Sequence, residues 1–343
     1  MEMLTNSFLL QTDLWTIIIN GFANWIVNYG WAIIVFTICL KLVLSPLDVL
    51  QRISSSKQSR VMAAMQPEMS ALQAKYGNDR ERLNAEQAKL YKKYNVGVGG
   101  MCASLLITLL VSMIVLFSLY GSLRAYGNDK LYSTYKELDQ VCETTLAGRD
   151  YNALTEEELS TLNVTIEEKY DDLAKQNSWL WVKNVWKSDT NTSQFVDFDS
   201  YAKNQKYNAT EKAAAKVRYN AIIKAVEGNT QTQNGYFVLI ILCAVISFLT
   251  QFLSAKLMQP KGQKLTTMNK VMFAVIPITM IILASTSNVV FTLYVIMNSI
   301  MAAVITAIIT LIMNLKNKGK TDKEILLSKR NVEVVEYSRN YKK

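Results

Sequence analysis

The 343-residue chain contains no histidine, so histidine-bound metals and a histidine general base are excluded from the start. Its cysteines offer little more: Cys39, Cys102 and Cys243 fall in long apolar runs, where cysteine is ordinarily a small hydrophobe. Cys142 stands alone in a polar region, so there is no disulfide framework. What remains is polar chemistry set in apolar surroundings. Lys41, five residues before Pro46, is the only charge inside the first apolar span. An ionisable group there costs about 2.5 to 3.5 kcal/mol on insertion scales and points to function unless it snorkels to the interface. Ser104, Thr108 and Ser112 recur every four residues and share one helical face. Gln251 and Asn298 lie in further apolar runs with Ser247, Thr250, Ser299 and Thr306 close by. An amide in hydrocarbon needs partners for its donors and its acceptor. These groups break no covalent bonds; they can solvate a polar guest where water is missing. Ordinary helix packing through Ser and Thr is the competing reading.

The elements that would hold these residues are membrane spans. Half of the residues are hydrophobic, and they concentrate in uncharged runs at 14–40, 98–123, 236–255 and 271–313. The last run is about twice the roughly 20 residues that cross a hydrocarbon core. It reads as two helices joined at the polar corner Ser285, Thr286, Ser287 and Asn288. The expectation is an all-α polytopic membrane protein with spans at 30–47, 98–124, 236–255, 271–286 and 289–313. Residues 1–14 carry Glu2 and Asp13 and no Lys or Arg, so they lack the basic start of a secretory signal. Residues 14–29, with Trp15, Trp25 and Tyr29, suit either an interfacial helix or an extension of the first span.

Charge orders these spans. Between 51 and 97 nine basic residues face four acidic ones, Lys256, Lys261, Lys264 and Lys270 have no acid among them, and the tail from 314 again has nine against four. Residues 125–235 instead carry thirteen basic and seventeen acidic residues. With five spans the basic segments share one side, which the positive-inside rule makes cytoplasmic. The N-terminus is then outside, 256–270 is a cytoplasmic loop, and 314–343 is a cytoplasmic tail suited to anionic lipid or RNA phosphate, with no preference for nucleic-acid sequence. Topology enforcement is its plainer role.

Within 48–97 the apolar residues Val61, Met65, Met69, Leu72 and Tyr76, and then Leu83, Leu90, Tyr91 and Tyr94, keep helical spacing about the turn Gly77-Asn78-Asp79. That pattern predicts an antiparallel helical hairpin with Asp79 capping its second helix and Pro67 in a first turn or at a kink. It is either a plain coiled-coil spacer or a mobile basic arm for a ribosome, a targeting factor or lipid headgroups. Residues 125–235 predict helices at 130–146, 155–176 and 210–226, with Thr155-Glu-Glu-Glu158 and Thr165-Ile-Glu-Glu168 both fitting a capping box. Trp179, Trp181 and Trp186 read as an interfacial anchor or a buried cluster.

Several blocks in order resemble the YidC/Oxa/Alb family of membrane-protein insertases. Tyr29-Gly-Trp-Ala-Ile-Ile-Val-Phe-Thr-Ile-Cys-Leu-Lys-Leu-Val-Leu-Ser-Pro46 is similar to the family's first core helix. Met65-Gln-Pro-Glu-Met-Ser-Ala-Leu-Gln-Ala-Lys-Tyr-Gly-Asn-Asp79 with Lys89-Leu-Tyr-Lys-Lys-Tyr-Asn-Val96 is similar to its cytoplasmic hairpin, and Met268 to Pro277 with Leu293-Tyr294 to its last two spans. The resemblance implies five helices around a hydrophilic intramembrane groove, a bacterial plasma-membrane location, and no enzymatic activity or cofactor. It implies that nascent membrane proteins are received in the groove and released into the bilayer, with the ribosome and the Sec translocon as possible partners. Lys41, Ser104, Thr108, Ser112, Gln251, Asn298 and Ser299 are the expected groove residues. The family usually has arginine where Lys41 stands, and a proline and a glutamine where Ser104 and Thr108 stand. A transporter or anion-conducting protein, or a scaffold that inserts nothing, is the alternative.

Overall fold

The computed structural model describes residues 2–94, 98–188, 195–205, 207–226, 237–258 and 267–316, all helix, turn and loop apart from one isolated bridge. The loop at 259–266 and the tail from 317 lie outside the described residues. In order the helices are α1 (Glu2–Ile26), α2 (Tyr29–Tyr76), α3 (Arg80–Lys93), α4 (Val98–Leu146), α5 (Glu156–Asn177), α6 (Phe198–Gln205), α7 (Ala209–Ala225), α8 (Val238–Met258), α9 (Thr267–Thr286) and α10 (Val289–Lys316). Among the described residues four stretches are long and apolar enough to cross a membrane: Tyr29–Val61, Leu110–Leu146, Val238–Leu257 and Val289–Lys316. The fifth expected span, 271–286, falls on α9, whose apolar part Phe273–Thr286 is shorter than those four. Contacts divide the chain into two compact units.

The first unit comprises Met1–Leu40, Ile114–Phe248 and Val275–Ser299. Here α1 is a helix of its own, stopped at Val27, whose φ of 65° a β-branched residue seldom adopts. Asn28 then caps α2 by accepting from the Trp31 N–H at 3.2 Å. Ile19 is buried, Trp15 donates to Ser118 Oγ at 2.9 Å, and Trp15 and Phe22 both meet the edge of Phe36. The opposite face of α1 exposes Leu14, Ile17 and Trp25.

The inserted domain grows directly out of α4, which runs without a break across residue 125. Tyr135, Leu138, Cys142 and Leu146 line its inner face and pack with Leu162, Ile166 and Tyr170 of α5 and with Ile222 of α7. These recur at three- and four-residue spacing, so each helix offers one apolar stripe. The Thr155–Glu158 capping box forms, and Asn208 with Glu211 makes a second. The box expected at Thr165 does not form. Thr165 lies inside α5, where its N–H is already committed to the helix and its Oγ1 donates back to the Thr161 carbonyl at 2.9 Å. Helix α6 leaves no mark in the sequence pattern, because eight residues are too few to show a period.

Burial pushes the Cys142 thiol up to about 11, since the apolar core disfavours a thiolate. With Cys142 as the sole cysteine, maleimide labelling near pH 8 is expected to run about a hundredfold slower than for an exposed thiol until denaturant opens the domain. Labelling at the exposed rate in native protein would contradict this packing.

A loop leads from α5 back to the spans. Trp186 is buried between Tyr29 (4.8 Å between ring centroids) and Tyr126 (5.0 Å), and its Nε1 donates to Asn177 Oδ1 at 2.8 Å. Trp179 lies so close over Gly30 that a Cβ there would fall 2.4 Å from its ring. Of the two readings of the tryptophans, the buried cluster therefore describes Trp186. The polar corner at 285–288 is the turn between α9 and α10 and also the dock for this loop. The first two N–H groups of α10 donate outward, Val289 to the Lys187 carbonyl at 3.0 Å and Val290 to that of Val185 at 3.1 Å. Asn288 accepts from the Phe291 N–H and donates to the Leu123 carbonyl at 2.7 Å, and Ser188 donates to the Ser285 carbonyl at 2.9 Å.

The second unit comprises Lys41–Met113, Leu249–Ala274 and Ile300–Lys343. In it α2 and α3 close as the expected hairpin, with Val61, Met65 and Leu90 buried and Met69, Leu72, Tyr91 and Tyr94 packed around them. Asp79 accepts from the Arg82 N–H at 3.1 Å, while Glu68 accepts from Lys93 and from the Tyr94 hydroxyl. Pro67 sits in the interior of α2 rather than in a first turn. Pro46 lies inside α2 as well. It cannot donate to the Leu42 carbonyl, and the Ser45 hydroxyl takes its place at 2.7 Å.

Candidate intramembrane polar site

Helix α2 builds the site in the second unit. Residues 41, 45, 48, 52 and 56 are spaced by three and four, so at 100° per residue they form one stripe. Their types are Lys, Ser, Asp, Arg and Ser. The other side of the same turns carries Leu42, Val43, Leu47, Leu50 and Ile53, all exposed, with Val43 at 75%. All five lie within Tyr29–Val61, the stretch of α2 that is long and apolar enough to cross a membrane. The polar stripe is instead drawn inward: Ser56 is buried, and the side chains of Lys41 and Asp48 are only 13% and 17% exposed.

Lys41 Nζ lies 2.8 Å from Asp48 Oδ2, two helical turns further on. The cation expected to stand alone is thus half of an ion pair. Placing a neutral pair in low dielectric relieves much of the cost of a lone charge, whereas deleting one partner strands the other. Sequence reasoning missed Asp48 because ending the span at 47 put it just outside. The seven-residue spacing from Lys41 was the available signal.

The remaining expected residues fall separately. In the second unit Ser112 is exposed on α4 and Gln251 is half-buried on α8, whereas the side chains of Ser104 and Thr108 lie outside the described residues. In the first unit Asn298 and Ser299 are half-buried on α10. Gln251 and Asn298 have no hydrogen-bond partner among the described residues. Thr306 is buried and donates to the Ala302 carbonyl of its own helix at 2.7 Å, which is packing chemistry. Among the described residues no cluster of three or more metal-ligating side chains occurs. The site therefore offers hydrogen bonds and paired charge inside an apolar surface.

On the hairpin an open groove of about 440 Å³ lies between α2 and α3, floored by Leu72 and Leu90 and rimmed by Lys75, Lys89 and Lys93 with Glu68 and Glu86.

The family model described as 60Kd inner membrane protein matches residues 21–318. Among curated proteins, a relative from Fusobacterium nucleatum named membrane protein insertase YidC is 33% identical over 108 residues, covering 32% of this chain and 49% of that protein. A Clostridium tetani protein of the same name is 42% identical over 80 residues, covering 23% and 34% of the two chains. One from Maridesulfovibrio salexigens is 42% identical over 96 residues, covering 28% and 16%. The matched stretches thus span half or less of these relatives' lengths.

Proposed function

Because the chain belongs to the 60Kd inner membrane protein family, we propose that it is a membrane protein insertase, receiving segments of nascent membrane proteins in a polar intramembrane groove and releasing them into the bilayer. The observation that carries this reading is the two-sided face of α2, with Lys41, Ser45 and Asp48 on one side and exposed Leu42, Val43 and Leu50 on the other. Moving the polar flank of a client across hydrocarbon costs several kcal/mol for each unpartnered group. A stripe of hydroxyls and paired charges lowers that cost, while the neighbouring apolar face lets the client's hydrophobic helix remain in lipid. No covalent step is needed, and the protein acts as a chaperone rather than an enzyme.

Ser104, Thr108, Ser112 and Gln251 of the second unit, and Asn298 and Ser299 of the first, are the further groove residues proposed from their polar types in apolar runs. The half-buried amides at Gln251 and Asn298, unpartnered among the described residues, support that role. The basic segments at 51–97, 256–270 and 314–343 lie in the cytoplasm of a bacterium and the N-terminus outside, as their excess of Lys and Arg favours. The hairpin groove with its three lysines and apolar floor suits a ribosomal or targeting partner, and the Sec translocon is a further one.

Photocrosslinkers placed at 41, 108 and 298 in the full chain are expected to label a stalled single-span nascent chain several-fold more strongly than crosslinkers at the lipid-facing positions 43 and 50. Equal labelling at all five sites would end the groove reading and favour a scaffold.

A further inference from the structure

The buried cluster accounts for Trp186 and leaves the other two tryptophans of its loop unexplained. From Ser178 to Ser188 that loop carries three Trp, two Lys and no acid, within a segment, 125–235, in which acids outnumber bases. It begins as a tight turn in which the Trp179 and Val182 N–H groups donate to each other's carbonyls, both at 2.8 Å. Asn28 ties the turn to the start of α2 by donating to the Ser178 carbonyl at 2.6 Å. Trp179 lies over Gly30 and meets the Trp31 ring at 5.7 Å, so the turn sits beside the first residues of α2. Leu180 is at its tip, 64% exposed and with a φ of 50°. A left-handed tip in water favours glycine or asparagine, so a large apolar side chain there is unfavourable in conformation and in solvation alike.

We propose that the Trp179–Val182 turn is a phospholipid-binding wedge: Leu180 enters the boundary between headgroups and acyl chains beside the N-terminal end of the α2 span, giving the inserted domain a second hold on the bilayer besides α4. The surface it joins is already apolar, since Trp25, Val27 and Trp31 are all exposed around Asn28. From Trp31 the same face of α2 runs on through half-buried Val35 to exposed Cys39, spaced by four, inside the stretch Tyr29–Val61 that is long and apolar enough to cross a membrane. The patch thus continues the exposed face of a span, which makes lipid its occupant in preference to a second protein. Trp with Lys and no acid is the composition that suits this boundary, where indoles sit among headgroups and ammonium groups meet phosphates. Burying Leu180 there removes apolar surface from water and offsets the strain of its backbone.

The test uses the full chain in vesicles of phosphatidylethanolamine and phosphatidylglycerol with radiolabelled acyl chains. A photocrosslinking residue is placed at 180, at 43 on the exposed face of α2, or at 164, an exposed apolar position about 20 Å along α5 from the turn. Phospholipid adducts at 180 are expected within about twofold of those at 43 and about fivefold above those at 164. Adducts at 180 no stronger than at 164 overturn the proposal, and so do protein dimers in their place, which would assign the tip to a second copy. Leu180→Asn gives an independent reading, because its sign separates the two environments. In water asparagine relieves a left-handed tip and would slow exchange of the Trp179 and Val182 amides. In lipid the leucine's burial is lost, and exchange of these amides in vesicles is expected to rise about threefold. Slower or unchanged exchange overturns the proposal even if a crosslinker at 180 disturbs the turn.

Discussion

Asp139→Ala is expected to unfold the inserted domain. Asp139 on α4 is almost wholly buried, at 4% exposure, and its two oxygens serve two partners: Arg218 Nε of α7 donates to Oδ1 at 3.0 Å, and the Tyr201 hydroxyl of α6 donates to Oδ2 at 3.0 Å. Arg218 also reaches Glu143 at 2.7 Å. Removing the carboxylate leaves a largely covered guanidinium with, among the described residues, that half-exposed partner alone, and breaking a buried pair from one side costs about 3 to 5 kcal/mol. A domain of this size is stable by only about 5 to 15 kcal/mol, so the loss is a large share of the total. Hydrogen exchange of α5 and α7 in the full-length protein should rise towards unprotected rates. Glu143→Gln is the internal control, because an exposed pair is worth about 1 kcal/mol or less. Exchange in Asp139→Ala no faster than in that control would show the network to be dispensable.

Trp186→Ala should loosen the attachment of the inserted domain to the spans. The indole fills the space between Tyr29 and Tyr126 and satisfies buried Asn177, so its removal combines lost aromatic contact, a cavity and an orphaned amide oxygen. Large aromatic-to-alanine changes in packed sites cost about 3 to 5 kcal/mol. The loop it anchors supplies the Val185 and Lys187 carbonyls that accept from the first N–H groups of α10. Exchange at Val289 and Val290 is therefore the direct readout and should accelerate strongly. Trp186→Phe, which keeps a ring and loses the hydrogen bond, should fall between. If the two amides exchange as slowly in Trp186→Ala as in wild type, the loop is not what protects them.

Elements with a strong period were legible in the sequence. The hairpin register from Val61 to Tyr94, the Asp79 cap, the Thr155 box and the turn at 285–288 all rest on local chemistry, and local chemistry decides them. What escaped was set by tertiary contact or by a boundary. The continuity of α4 was hidden because its composition turns polar at residue 125 while its backbone bonding does not change. Thr165 fits a cap motif, yet helical residues on both sides leave it no free N–H to cap. Lys41 reads as a lone charge in the sequence, and its partner Asp48 lies one residue beyond the span expected at 30–47. Asn28 and Asn288, which each cap a helix and also tie a distant segment to it, carry no sequence mark that separates them from ordinary turn residues.

The unbroken run of α4 from Ile114 to Leu146 has a mechanical meaning. About 50 Å of continuous helix joins the last turns within the bilayer to the core of the inserted domain, with no hinge between them. Gly127 lies partway along it, pressed so close to Asn288 and Trp186 that a Cβ would sit 2.7 Å from the asparagine amide. A rod held at such a point turns as a lever about a fulcrum. A tilt of about 5° displaces an end about 25 Å away by about 2 Å. A load on the inserted domain would therefore reach the span along α4 with no intervening hinge to absorb it.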